Sequence, residues 1–310
     1  MTMLTSSHRT QKFLLVCDLD NTLYDWVAYF VPSFYAMVEV ATSIMECDRE
    51  NLLDELRGVH RKHHNTEHPF ALLETQTFLK WAISKGPNAS RLIDPAFHAF
   101  NVARKSSLKL YEGVVEALDE LNRRNVTIVG YSDSEYFGVV DRVRRLGLER
   151  YMSQVYCSPR LKIRKKPFGS KNEFQSSIVV EHEFKQKKPN PKALISICKR
   201  FGFDPHDTTY VGDSISKDVA MAVESGVFSS WAKYGSRVDP ELYRKLVRIS
   251  HWTETDILRE RQLSENAKEI VPQHVCKHSF AEILNLSRLG SRRSILERML
   301  GENCIALRLG

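Results

Sequence analysis

The sequence predicts an α/β fold built around a parallel β-sheet. Short apolar runs, each ending in a polar residue that can carry chemistry, alternate with segments of helical periodicity. These runs are apolar throughout instead of alternating with polar residues, which is typical of strands buried on both faces of a parallel sheet. A long stretch with helical rhythm, about residues 27–108, separates the first run from the second. It indicates an all-α insertion between two strands.

The first predicted strand, residues 13–17, is followed by Asp18 and Asp20. Open α/β sheets place their chemistry where the chain leaves the carboxyl ends of the strands. Residues i and i+2 of an extended segment point the same way, so both carboxylates can converge on one bound group. A nucleophile and a proton donor would be arranged like this. From this stretch alone, a strand end at Asp18 and a turn cap at Asp20 are equally compatible.

The helical insertion is predicted to contain about four helices, with breaks near residues 47–48, 68–69 and 86–87. Three histidines, His60, His63 and His64, fall on its second helix. We favour a solvated polar face for them over a metal site, because no cysteine or carboxylate completes a ligand set in the sequence.

The second buried strand, residues 126–131, ends in Ser132, Asp133 and Ser134. Ser134 is predicted to cap the helix that follows. A hydroxyl at a strand end beside a helix N-terminus can bind an anion, since free N–H groups and the helix dipole favour negative charge there. An ordinary capping serine looks the same in the sequence, so this signal is weak by itself.

A basic segment comes next. Residues 158–188 carry nine Lys/Arg against three Glu, a net +6 that nearly equals the +7 of the whole chain. We call residues 158–187 the basic excursion. The sequence leaves two explanations open, a solvated surface loop and an arm that attracts anionic substrates.

Lys188 stands directly before a predicted helix. Pro189 holds Lys188 extended, and Pro191 suits the first helical position. A cation fixed in this way can be aimed at a neighbouring site, although a lone lysine would more simply be solvated.

The third buried strand, residues 208–211, runs into Gly212, Asp213 and, five residues later, Asp218. Two carboxylates at a strand end suit a hard cation such as Mg²⁺, which binds one or two carboxylates together with waters and phosphate oxygens. The last strand is expected at residues 227–232.

Composition limits the class of protein. With 42% hydrophobic and 27% charged residues, the 310-residue chain has the composition of a soluble globular enzyme. The polar start and the short first apolar run predict no signal peptide, and no segment is expected to approach the length of a membrane span. Six scattered cysteines predict reduced thiols and a cytoplasmic location. The net charge allows an anionic partner without identifying it.

Taken in order, the polar strand ends resemble the four motifs of the haloacid dehalogenase-like hydrolases. The residues that carry the resemblance are Asp18-Leu19-Asp20-Asn21-Thr22, Ser132, Lys188 before Pro-x-Pro, and Gly212-Asp213 with Asp218. The resemblance covers roughly residues 13–235. It implies a doubly wound, Rossmann-like parallel sheet core (1–26 plus 109–235) with an all-α cap domain (27–108). Residues 236–310 would be a helical, basic C-terminal extension.

The resemblance also implies an activity, that of a Mg²⁺-dependent phosphomonoester hydrolase acting on a small phosphorylated metabolite through an aspartyl-phosphate. Asp18 would be the nucleophile and Asp20 the general acid and base. The remaining implied roles are metal binding by Asp18, the Asp20 carbonyl and Asp213, outer contact with the metal by Asp218, and phosphate binding by Ser132, Asp133 and Lys188.

Two features depart from the family pattern. Position 133 is Asp where many members have Asn, and the basic excursion is longer than the usual link before the lysine. A phosphomutase of the same superfamily would use the same residues and is an alternative. A catalytically weak protein that binds nucleic acid or another anion is less favoured, because the carboxylates would repel phosphates. Substrate identity and oligomeric state stay open.

Overall fold

The computed structural model describes residues 13–68, 70–160, 175–182 and 187–289. At the centre of the described chain is a seven-stranded sheet in which all paired strands run parallel. The strands are β1 Phe13–Cys17, β2 Val126–Glu135, β3 Gln154–Ser158, β4 Val179–Glu181, β5 Thr208–Gly212, β6 Phe228–Ala232 and β7 His274–Cys276. Their order is β4-β3-β2-β1-β5-β6-β7. The predicted parallel α/β sheet is confirmed.

The central strand β1 is apolar on both faces because both faces are covered. Leu15 and Cys17 belong to one buried cluster, and Leu14 and Val16 belong to another on the opposite side of the sheet. This alternation follows from the two-residue period of a strand. A sheet with a packed core on each face is the doubly wound arrangement that the family resemblance implies.

Helices supply both of these cores. The α-helices are α1 Trp26–Met45, α2 Arg49–His63, α3 Gln76–Lys85, α4 Ala89–Ser107, α5 Val114–Arg123, α6 Tyr136–Arg145, α7 Pro191–Phe201, α8 Ala220–Glu224, α9 Pro240–Ile249 and α10 Glu254–Asn266. Buried residues of α5 and α6 pack on the side of Leu15, and those of α7 and α8 pack on the side of Leu14. The sheet is therefore sandwiched between two helical layers.

The insertion after β1 consists of the four helices α1 to α4, which confirms the helical region predicted there. We call residues 27–108 the cap. Its apolar side chains form a buried cluster separate from the two clusters of the sheet. Asp48 begins α2 by accepting a hydrogen bond from the backbone N–H of Asn51 at 2.7 Å, close to the predicted break at 47–48.

The helix α1 is long and apolar enough, by length and composition, to cross a membrane. The expectation that no segment approaches the length of a membrane span is therefore wrong. Half of the apolar window of α1 is buried, and its residues Phe30, Phe34 and Val38 belong to the buried cluster of the cap. A core helix of a soluble protein meets the same criterion.

The segment after residue 235 is not only helical, which corrects the sequence prediction. Strand β7 pairs in parallel with β6 at the edge of the sheet, so residues 227–232 do not form the last strand. Helix α9 contributes Leu246 and Ile249 to the cap cluster. A three-residue strand with a histidine and a cysteine carries too little hydrophobic pattern to be predicted.

The start of α6 also differs from prediction. Ser134 lies within β2, and the N-cap of α6 is Glu135, whose carboxylate accepts a hydrogen bond from the backbone N–H of Phe137 at 3.2 Å. The strand therefore extends past Ser132, and the Ser134 hydroxyl is directed to another partner, described below.

Candidate active site

Three neighbouring strands bring the predicted residues to one edge of the sheet. Asp18 follows β1, Ser132 and Asp133 lie in the last part of β2, and Asp213 follows β5. The strand β1 pairs with β2 on one side and with β5 on the other. Because the carboxyl ends of parallel strands share an edge, these side chains face a common space.

Asp18 is nearly enclosed. Its side chain is 8% exposed and contacts the Lys188 ammonium, while the Thr22 hydroxyl donates to its other carboxylate oxygen at 3.1 Å. Burial raises the pKa of Asp18 to about 7; the Lys188 ammonium opposes this effect, and the Asp218 and Asp20 carboxylates add to it. Both carboxylate oxygens are thus held in place by neighbouring donors.

Asp20 is surrounded by donors on both oxygens. The Tyr24 hydroxyl donates to Oδ1 at 2.6 Å. The hydroxyls of Ser132 and Ser134 donate to Oδ2 at 3.2 and 2.7 Å. The guanidinium Nε of Arg142 lies 3.5 Å from Oδ1. The predicted acid therefore has a fixed orientation two residues from the predicted nucleophile.

Lys188 lies between two carboxylates. Its Nζ contacts Asp18 Oδ1 and lies 2.9 Å from Asp218 Oδ1. It also lies 5.2 Å from the centre of the Tyr131 ring and 5.6 Å from that of Tyr210. Burial by itself lowers the pKa of Lys188, but the two carboxylates outweigh it and leave that pKa well above its ordinary value. The ammonium is charged and fixed at the site.

Asp133 contacts the backbone of the lysine segment. Its Oδ1 accepts a hydrogen bond from the Lys188 backbone N–H at 3.0 Å, and its carbonyl accepts one from the Ser158 hydroxyl at 2.9 Å. These contacts join β2 to the segment before α7. Direct phosphate binding by Asp133 stays a prediction, and the partner seen here positions Lys188.

Three carboxylates at this edge form a cluster of oxygen donors. Ligand atoms of Asp18, Asp213 and Asp218 all lie within 4.8 Å of one another. Burial, followed by the charges of Asp18 and Asp218, raises the pKa of Asp213 well above its ordinary value. Carboxylates held this close repel one another, and a hard divalent cation is the ligand that relieves that repulsion. The donor set therefore fits Mg²⁺.

Asp218 has its oxygens engaged by protein groups. The Tyr210 hydroxyl donates to Oδ1 at 2.7 Å, the oxygen that Lys188 also contacts. The backbone N–H of Ser214 donates to Oδ2 at 3.1 Å. These contacts favour the predicted outer position of Asp218 over direct metal binding.

Two glycines allow close approaches around these carboxylates. A Cβ atom on Gly212 would lie 2.3 Å from Cγ of Asp218, and one on Gly235 would lie 1.7 Å from the carbonyl oxygen of Asn21. Next to Gly235, the Tyr234 hydroxyl donates to the carbonyl of Thr22. The loop after β6 thus packs against the turn that follows Asp18 and holds that turn in position.

Arg142 and Glu67 were not identified from the sequence as site residues. Arg142, on α6, is 1% exposed, and its Nη1 lies 2.6 Å from Glu67 Oε1 and 3.0 Å from the Tyr29 hydroxyl. Glu67 and Tyr29 belong to the cap, and Glu67 stands next to the predicted break at residues 68–69, where an acidic residue is unremarkable. Only the fold reveals that they reach the neighbourhood of Asp20.

The histidines of the cap also differ from the expectation. Glu74, on another turn, contacts His63 Nε2 and His68 Nε2, each at 2.8 Å, so a carboxylate does lie beside them. The rings of His63 and His68 stack in parallel with centroids 3.6 Å apart. Ligand atoms of His63, His68 and Glu74 all lie within 4.8 Å of one another, so this group also has donors that could hold a metal ion. His60 is fully buried and bonds to the carbonyl of Ile249, and so is not part of a solvated face.

The basic excursion is described only at its ends. Arg160 contacts Glu181 at 2.7 Å and stacks over the Tyr136 ring at 3.9 Å, which joins the two ends of the segment. Arg164, Lys165 and Lys166 lie outside the described residues, so attraction of anionic substrates by this segment stays a prediction.

A family model for hydrolases, described as haloacid dehalogenase-like hydrolase, matches residues 14–226. The chain is 24% identical over 230 residues to the glyceraldehyde 3-phosphate phosphatase of Methanopyrus kandleri, covering 72% of this chain and 85% of that protein. It is also 24% identical over 228 residues to the phosphoglycolate phosphatase of Agrobacterium fabrum, covering 72% and 81%.

The solved structures to which the chain shows similarity include the 2-haloacid dehalogenase of Pseudomonas syringae pv. tomato. That structure is 19% identical, covers 77% of this chain and 99% of its own, and has a TM-score of 0.43. A haloacid dehalogenase-like hydrolase from Xanthomonas campestris is 13% identical, with coverages of 82% and 93% and a TM-score of 0.45.

Proposed function

This chain belongs to the haloacid dehalogenase-like hydrolase family, and we propose that it is a Mg²⁺-dependent phosphomonoester hydrolase acting on a small phosphorylated metabolite. The observation that carries the proposal is the meeting of Asp18, Lys188 and the Asp213–Asp218 pair at one sheet edge. Two similar proteins are phosphatases of small phosphorylated metabolites by name.

Asp18 is the nucleophile in this proposal. Its carboxylate oxygen forms a bond to phosphorus while the bond between phosphorus and the leaving oxygen breaks, which gives an aspartyl-phosphate. Thr22 and Lys188 hold the attacking group in one rotamer. A fixed carboxylate loses little orientational freedom on reaction, so the arrangement supports attack by Asp18.

Asp20 moves the protons. It donates a proton to the departing oxygen in the first step, and in the second it accepts one from the water that attacks the phosphoryl group and releases Asp18. The contacts from Tyr24, Ser132 and Ser134 support this role because they fix the Asp20 carboxylate near the nucleophile.

The cation would be held by Asp18, the Asp20 carbonyl and Asp213. When bound, Mg²⁺ supplies charge that offsets repulsion between the carboxylates and the phosphate oxygens. Lys188 and the Ser132 hydroxyl bind phosphoryl oxygens in this proposal, and Asp133 keeps Lys188 in place through its backbone N–H. We also propose that the protein is located in the cytoplasm.

A screen of phosphorylated metabolites tests the proposal. Purified protein is incubated with each compound, with and without Mg²⁺, and inorganic phosphate is measured, with the Asp18→Asn variant as the control. We expect Mg²⁺-dependent release by the parent alone. Isomerised phosphate esters without phosphate release would identify a phosphomutase instead, and release that is equal in the variant would overturn the proposal.

A further inference from the structure

Arg142 is a fully buried arginine directly behind the predicted acid. Its side chain is 1% exposed, with Nε 3.5 Å from Asp20 Oδ1 and Nη1 2.6 Å from Glu67 Oε1. The guanidinium also lies 6.0 Å from the ring centres of Tyr24 and Tyr29. The Nε side of the guanidinium therefore faces Asp20, and the Nη1 side faces Glu67 of the cap.

A buried guanidinium is costly unless carboxylates compensate its charge. The described chain places two near it, Asp20 in the sheet domain and Glu67 in the cap. The Tyr29 hydroxyl bonds to both Arg142 Nη1 and Glu67 Oε1, at 3.0 and 3.2 Å. Glu67 and Tyr29 together thus fix the position of the guanidinium relative to Asp20.

The side chains of Tyr24, Ser132 and Ser134 donate to Asp20 through hydroxyls, which rotate about a single bond. The guanidinium is planar and rigid, and it carries a full charge. Its Nε makes no hydrogen bond to Asp20, so it acts on the Asp20 carboxylate through its charge, which attracts Oδ1 from 3.5 Å and favours one orientation of the carboxylate while a proton moves on or off it. General acid catalysis is sensitive to that orientation.

We propose that Arg142 is a positioning residue for Asp20 and that Glu67, from the cap, holds Arg142 in its working position. The inference rests on the proposed function, in which Asp20 is the acid and base. It goes further because it assigns the orientation of the Asp20 carboxylate to the ion pair between Glu67 of the cap and Arg142 of α6.

The chain offers a matched control. Arg104 of the cap and Asp141 of α6 form a second cap-to-α6 ion pair at 2.9 Å, with side chains 17% and 13% exposed. Asp141 is the immediate neighbour of Arg142 in sequence, yet its carboxylate contacts Arg104 and Arg145. Breaking this pair removes a similar link between cap and sheet domain without a direct contact to Asp20.

The experiment compares Glu67→Gln, Arg142→Lys and Arg104→Gln in the full chain with Mg²⁺. The substrates are p-nitrophenyl phosphate, whose leaving oxygen needs little protonation, and phenyl phosphate, whose leaving oxygen needs much more. For Glu67→Gln and Arg142→Lys we expect kcat on phenyl phosphate to fall about tenfold more than kcat on p-nitrophenyl phosphate, with KM little changed. Arg104→Gln should leave the ratio of the two substrates unchanged.

Circular dichroism and Tm establish that each variant is folded, and Glu67→Gln, nearly isosteric and at a partly exposed site, keeps the test open if Arg142→Lys does not fold. An unchanged ratio in Glu67→Gln, or an equal shift in Arg104→Gln, would overturn the inference. The Asp20→Asn variant distinguishes failure of the inference about Arg142 and Glu67 from failure of the acid assignment. If Asp20→Asn shifts the ratio and Glu67→Gln does not, only the inference fails; if Asp20→Asn leaves the ratio unchanged, the acid assignment itself fails.

Discussion

The side chain of Asp218 occupies the space that a side chain on Gly212 would need. A Cβ atom at position 212 would lie 2.6 Å from Cβ and 2.3 Å from Cγ of Asp218. Asp218 in turn contacts Lys188 Nζ and the Tyr210 hydroxyl. Because Gly212 has no side chain, Asp218 can lie where its carboxylate contacts Lys188. Lys188 therefore contacts two carboxylates, those of Asp18 and Asp218.

Gly212→Ala should displace Asp218 and lower activity more than it lowers stability. The overlap with Asp218 is expected to cost roughly 1–3 kcal/mol of unfolding free energy, while the loss of the Lys188 contact affects every turnover. Urea unfolding and phosphate release measure the two effects. Gly58→Ala, inside α2 with no atom within 4 Å of the added Cβ, is the control, and should stabilise the protein by about 0.5–1 kcal/mol. Full activity in Gly212→Ala would contradict the packing argument.

Asp18→Asn should remove phosphate release and keep the fold. Asn has nearly the same shape and can still accept the Thr22 hydrogen bond, but its amide is a far weaker nucleophile. We expect kcat to fall by at least about a thousandfold, with an unchanged circular dichroism spectrum. Normal turnover by the folded variant would exclude Asp18 as the nucleophile.

Asp20→Asn should slow the reaction in proportion to how much the leaving oxygen needs a proton. Loss of a general acid typically costs about 10²–10⁴-fold, and the larger loss is expected on phenyl phosphate than on p-nitrophenyl phosphate. Initial rates on the two substrates measure the difference. Equal losses on both would show that Asp20 does not protonate the leaving group.

Asp213→Asn should weaken Mg²⁺ binding. Removing one charged oxygen donor from the carboxylate cluster is expected to raise the Mg²⁺ concentration for half-maximal activity by at least about tenfold, the smallest effect typical of losing a group that supports a metal ligand. A Mg²⁺ titration of activity at fixed substrate measures it. An unchanged Mg²⁺ requirement in the variant, or activity of the parent that survives thorough chelation, would show that the metal site is misplaced.

Acid should destabilise the contact between the cap and α9 through His60. Burial lowers the pKa of His60 to about 4, and the hydrogen bond to the Ile249 carbonyl only partly opposes it. The unfolded chain therefore binds a proton that the folded protein does not, so stability is lost as the pH falls from about 6.5 and the loss is complete near pH 4. The loss from this group is up to about 3 kcal/mol.

Urea unfolding between pH 7 and pH 4 tests this effect in the parent and in His60→Asn. Asn keeps a donor for the Ile249 carbonyl but does not titrate, so the difference in unfolding free energy between the two proteins should shrink as the pH falls. The pKa of His251 is also lowered to about 4 by burial, and it contributes equally to both proteins. Parallel pH profiles would refute the assignment to His60.

The sequence predicted the parts of the fold that rest on local patterns. The strand residues 13–17 and 208–211, the four cap helices and the polar residues at strand ends follow from apolar runs and breaks, which depend on neighbours in the chain. The roles of Asp18, Asp20 and Lys188 also came from local order, and they remain predictions that the geometry supports.

The rest depends on contacts between distant residues. Glu67 and Arg142 are 75 residues apart, and neither has a local signal that distinguishes it from a surface charge. Glu74 meets His63 and His68 only because the turn at 71–74 folds back on α2. The strand β7 is too short for a periodic pattern and forms because the edge of β6 offers it unpaired backbone groups.

The segment after residue 235 limits how far the protein can be truncated from its C-terminal side. The family match ends at residue 226, and an expression clone cut there would lack both β6 and β7 and would leave β5 as a bare apolar edge. A clone cut at 235 would keep β6 but remove β7 from its edge and α9 from the cap, and His60 would lose the Ile249 carbonyl. Both shortened proteins would aggregate through the exposed strand, so soluble material should be sought from chains that extend through residue 289.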